Sequence, residues 1–163
     1  METLAILLVL LLIGGILFLL LKLIPETRPA QHFEQPSLQE ISQNGDLNAL
    51  ASQLPFPLTE VHLVARESPA SIAAAFRFEP RIKSMSQTGL EKVDPKTSRH
   101  SIVPLLRPKE PWWPPALRAG RVTQLIENEG YQLFRPSGGD AEAQTPGWWL
   151  LLRPETGHGY AWY

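Results

Sequence analysis

Hydrophobic positions along this chain follow three different patterns. In the first, Leu4–Leu21 (LAILLVLLLIGGILFLLL) runs without a charge or a strongly hydrogen-bonding side chain. A helix over this run spans roughly 27 Å at ~1.5 Å per residue, close to the ~30 Å hydrocarbon core of a bilayer. Leu23 and Ile24 extend it past Lys22, whose stem reaches the interface, and Pro25 ends it. It has no basic start and no small-x-small cleavage site, so it predicts an uncleaved transmembrane anchor over residues 1–24. The lipid bilayer is then the expected partner of residues 4–24, and the address is a cell (inner) membrane, crossed once. Lys22 and Arg28 on the C-terminal flank place the following domain in the cytoplasm by the positive-inside rule. A periplasmic domain is the alternative.

The second pattern covers residues 25–57. Pro25–Pro36 (PETRPAQHFEQP) is polar and punctuated by proline, and reads as a linker. Ser37-Leu38-Gln39-Glu40 has the form of a capping box, which predicts a short helix from Ser37 to about Gln43 ended by Asn44-Gly45. Asp46 is placed to cap a second short helix, whose Leu47, Leu50 and Leu54 share one face. Pro55-Phe56-Pro57 breaks it.

From residue 58 the pattern turns to strands. Alternation predicts one near Glu60–Arg66 and another over Ala74–Glu79. Arg81–Arg99 has loop composition, and Pro104 demotes Ile102–Leu106 to an edge strand or an extended segment. Val122–Ile126 and Tyr131–Phe134 read as a hairpin turned at Gly130, with a helix over Ala116–Asn128 as the other solution. Ser137–Pro146 is a loop tip, Gly147–Arg153 a buried strand and Gly159–Tyr163 a final strand. The expected fold class is one N-terminal transmembrane helix followed by a small β-rich (α+β) soluble domain over 58–163.

Composition narrows the functional classes. The net charge of −1 over 163 residues provides no bulk attraction to nucleic acid. With no cysteine, disulfides, thiolate metal sites and cysteine nucleophiles are excluded. His32, His62, His100 and His158 are scattered, and no pair has the i, i+4 spacing of helix-borne metal ligands. There is no Gly-x-Ser-x-Gly elbow, and Gly138-Gly139-Asp140 is followed by neither a lysine nor a helix start. No catalytic, cofactor or metal residues are therefore expected.

The aromatic residues carry more information. Trp112, Trp113, Trp148, Trp149, Tyr160, Trp162 and Tyr163 crowd the last third of the chain. Adjacent residues on a strand point to opposite faces, so one member of each tryptophan pair turns inward and the other outward. Outward aromatics are enriched at interfaces, which makes these seven the candidate partner-binding residues.

Gly147-Trp148-Trp149-Leu150-Leu151-Leu152-Arg153, then Glu155-Thr156-Gly157, then Gly159-Tyr160-Ala161-Trp162 resembles the ending of bacterial SH3-like (SH3b) barrels. Gly120-Arg121-Val122-Thr123-Gln124-Leu125 is similar to the preceding Gly-x-x-Val strand of that family, and Val64-Ala65-Arg66-Glu67-Ser68-Pro69 to its opening. The resemblance is concentrated in 119–163. It implies a small barrel and modular binding of protein or cell-wall ligands without catalysis. Together these features predict a membrane-anchored, non-enzymatic interaction protein, an accessory or assembly subunit with membrane protein partners. The alternatives are a receptor for cell-wall glycan or peptide and an enzyme whose site is built from dispersed residues.

Overall fold

The WLLLR run of β6 shows how the sheet is built. Its side chains alternate between two faces, yet all four apolar residues are buried, which requires cover on both sides. A computed structural model describes residues 13–16, 27–67, 70–79, 89–98, 101–136 and 147–163. In it seven strands form one antiparallel sheet: β1 (Gln31–Glu34), β2 (Leu58–Arg66), β3 (Ser71–Phe78), β4 (Leu90–Lys92), β5 (Gln132–Pro136), β6 (Trp149–Arg153) and β7 (His158–Trp162). Their order is β1-β2-β3-β7-β6-β5-β4, so the chain's last strand lies at the centre.

One face is covered by α1 (Leu38–Gln43) and α2 (Gly45–Ala51). Leu47, Leu50 and Leu54 pack there with Val61, Leu63, Phe76, Leu150 and Leu152. On the opposite face lie α3 (Pro115–Arg118), α4 (Val122–Glu129) and the segment leading into them. Trp113, Leu117, Val122 and Leu125 pack there with Val64, Ala73, Leu133, Leu151 and Trp162.

The capping box forms as its sequence predicts: the Ser37 hydroxyl accepts from the Glu40 N–H, and Glu40 accepts from the Ser37 N–H. Asn44, rather than Asp46, caps α2, accepting from the Leu47 N–H at 3.0 Å. The strand expected over Val122–Ile126 is helical. Val122, Leu125 and Ile126 stand at i, i+3 and i+4, and the left-handed Gly130 (φ 74°) closes the helix with its N–H on the Leu125 carbonyl. Part of the expected linker is structured too. Residues 31–34 form the edge strand β1, and Arg28 bridges Asp46 at 2.7 Å and Glu67 at 2.6 Å.

The expected fold class needs correction. Of the Leu4–Leu21 run only residues 13–16 lie within the described part, as an exposed helical turn, and the rest lies outside it. Among the described residues no helix is long and apolar enough to cross a membrane. The eight residues of α4 cover about 12 Å against the ~30 Å a spanning helix needs. The single-pass inner-membrane address is therefore set aside, while the bilayer as partner of residues 4–24 concerns positions that, apart from 13–16, lie outside the described residues. In place of a small barrel stands a seven-stranded sheet with β1 and β4 at its edges.

Candidate functional site

Register builds the site. Beneath α3 and α4 the strands line up in rows that run across the sheet. The first row is apolar: Val64, Ala73, Trp162 and Trp149. Two residues along each strand lies a mixed row, His32, His62, Ala75, Tyr160 and Leu151. Two further along lies a polar row, Glu34, Glu60, Arg77, His158 and Arg153. Because side chains alternate with period two, all three rows face the same way. Four strands thus change together from apolar to polar toward one rim, and β1 adds His32 and Glu34 at its edge.

Above the rim stands Trp112. A cleft of about 310 Å³ opens between it and the sheet, lined by Glu60, His62, Ala75, Phe76, Arg77, Pro111, Trp112, His158 and Tyr160. The alanine at position 75 leaves the middle row low between His62 and Tyr160. Trp112 lies nearly parallel to the His62 ring, 18° apart with centroids 5.8 Å away, and His62 stacks on His32 at 4.1 Å and 2°. Trp113, fully buried, meets Trp112 and Tyr160 edge-on and anchors the segment in the core. The Arg118 guanidinium fixes the same segment, donating to the carbonyls of Trp113 (2.8 Å) and Glu110 (3.1 Å).

Glu60 is the electrostatic centre. Its Oε1 lies 3.0 Å from His62 Nε2 and 3.6 Å from His32 Nε2, and its Oε2 lies 3.2 Å from Arg77 Nε. The hydrogen bond from His62, with the charge of Arg77 behind it, holds this carboxyl below its ordinary value. His32, Glu60 and His62 each offer one ligand atom, and these atoms all lie within 4.8 Å of one another. Deeper in, Tyr131 Oη and His158 Nδ1 are 2.7 Å apart. Burial, and then Arg77, pushes the His158 imidazole down, while burial pushes the Tyr131 and Tyr160 phenols up. The pair is therefore a neutral imidazole and an un-ionised phenol sharing one proton.

The seven aromatic candidates divide sharply. Trp113, Trp149, Tyr160 and Trp162 are in the core, with Tyr160 alone also lining the cleft. Trp112, Trp148 and Tyr163 are half-buried and reach the surface. Trp148 and Tyr163 lie 5.7 Å apart in a second groove, with Arg28, Asp46 and Glu67 on its rim. Each tryptophan pair does divide into an inner and an outer member. Sequence spacing does not reveal His32, Glu60, Arg77 and Tyr131 as site residues, because strand pairing brings them together. The available local signal was Glu60 and His62 at i, i+2 on one strand face. His100 lies outside the described residues. No protein-family model, no curated protein and no solved structure matches the chain.

Proposed function

We propose that this protein is a non-enzymatic binding module that seats a polypeptide partner over the rim cleft, against Trp112. The observation that carries this reading is the placement of Trp112. It is a half-exposed indole held over a polar row by a buried neighbour and by an arginine clamp. A rigid aromatic beside charged and polar groups is the composition of an interface hot spot. The ring contributes apolar area at little cost in entropy, since Trp113 and Arg118 already fix its backbone. Glu60, Arg77 and the histidines supply direction. Trp148 and Tyr163 give the molecule a second aromatic surface of similar character.

A benzophenone-type photo-crosslinking residue, which keeps an aromatic ring at position 112, tests this in cells. The expected result is a discrete adduct, suppressed by excess unmodified protein but not by the Trp112→Ala variant. The same probe at the exposed Glu127 of α4 should give none. Equal labelling at both positions, or none at 112, overturns the reading.

A further inference from the structure

We propose that His32, Glu60 and His62 form a binding site for one divalent transition-metal ion of the zinc class, open on the side of the cleft. The inference rests on the reading of the cleft as a binding site and names a cofactor for it. Three observations support it.

The first is convergence. His32 and His62 are cross-strand partners, and Glu60 is two residues from His62 on the same face. A two-stranded backbone therefore brings the three donor atoms within 4.8 Å of one another without a loop; the two rings stack in parallel, and the exposed His32 ring has to turn out of that stack for both Nε2 atoms to face one ion. Zinc holds nitrogen and oxygen donors at ~2.0–2.2 Å, which sets neighbouring donors about 3.0–3.4 Å apart for octahedral to tetrahedral angles. The Nε2–Oε1 separations of 3.0 and 3.6 Å lie within a few tenths of that window. The cation takes the place of the proton that His62 Nε2 now shares with Glu60.

The second observation is the outer contact. Arg77 Nε holds Oε2 of Glu60, so the carboxylate is oriented with Oε1 toward the imidazoles. Arg77 also offsets the Glu60 charge. A site with two imidazoles and one offset carboxylate suits a borderline cation such as Zn²⁺, and is poor for Mg²⁺ or Ca²⁺, which take oxygen donors.

The third is access. The side chains of His32, Glu60 and His62 are 43%, 35% and 26% exposed. Three protein donors leave a fourth tetrahedral position for solvent or for a donor from a bound partner, as open zinc sites do. That position adjoins the cleft beneath Trp112.

The test is calorimetric titration of ZnCl₂ into the full chain, prepared without chelator or histidine tag. Expected is one saturable site per chain, and a higher melting temperature with Zn²⁺ but not with Mg²⁺. His32→Ala and His62→Ala should each weaken binding at least ~10-fold, and Glu60→Gln should do the same. Glu127→Gln should bind as wild type. Far-UV circular dichroism verifies folding, and His32→Gln and His62→Gln, which keep side-chain volume, serve where alanine disturbs it. Absence of one-site binding by the wild type overturns the proposal, as does unchanged affinity in folded His32 and His62 variants. The titration contains no partner and the cross-link at 112 measures no metal, so the two readings fail separately.

Discussion

Gly159 sits at the centre of the sheet, where a single methyl group has nowhere to go. A Cβ built there would lie 2.6 Å from the Phe76 ring and 2.8 Å from Leu152 Cδ2. Phe76 and Leu152 are core residues at 1% and 0% exposure, so neither can swing into solvent. Overpacking of this kind costs roughly 1–3 kcal/mol. Gly159→Ala should therefore lower the denaturant midpoint by a corresponding amount with an unchanged slope. Gly147→Ala, where a Cβ meets nothing within 4 Å, should leave the midpoint nearly where it was. The sequence marks Gly159 only as the first residue of an aromatic strand. Its packing role depends on which strands flank β7, and β3 lies some eighty residues away along the chain.

Among the elements, the segment from Glu110 to Gly130 departs furthest from expectation. Alternation favoured a strand over Val122–Ile126, but the apolar positions suit a helix equally well, and tertiary packing of Leu117, Val122 and Leu125 decides. Pro115 at the first helical turn and left-handed glycines at 120 and 130 divide the segment into α3 and α4. Its orientation toward the cleft depends on Arg118, whose planar fork satisfies two carbonyls at once. Lysine carries the charge without the fork. Arg118→Lys should thus cost about 1–2 kcal/mol in unfolding free energy and expose the Trp113 amide, bonded to Glu110 at 3.1 Å, to faster hydrogen exchange. Exchange at wild-type rate in the lysine variant would show that the loop holds its shape without the clamp. By contrast, α1 was legible in full, because a capping box is a local device and all its parts lie within four residues.

For the whole molecule, most strands were readable from alternation, whereas the rows across them were not. A row is a property of register, and register joins residues as distant as His32 and His158. The same distance explains why scattered histidines became a cluster. One global consequence is pH dependence. His158 titrates below its ordinary 6.5 in the folded chain, chiefly through burial and then through Arg77, with Glu60, Arg153 and Tyr131 around it. The unfolded chain binds that proton more readily, so the stability associated with a neutral His158 is complete above pH 6.5 and is lost as pH falls toward and through the folded value. Urea midpoints should decline on going from pH 7 to pH 5, and His158→Gln should flatten that decline. An identical slope in the variant would assign the acid sensitivity elsewhere.

The stack of Trp112 on His62 has an optical consequence. An imidazole against an indole face alters its emission, and charge or metal on the imidazole alters it further. The core tryptophans 113, 149 and 162 are shielded from solvent and form a steady background, and Trp148, the other surface indole, lies in the second groove and not at the rim. Occupancy of the rim therefore changes the intrinsic fluorescence of the unlabelled chain, and the molecule carries its own gauge of what has bound.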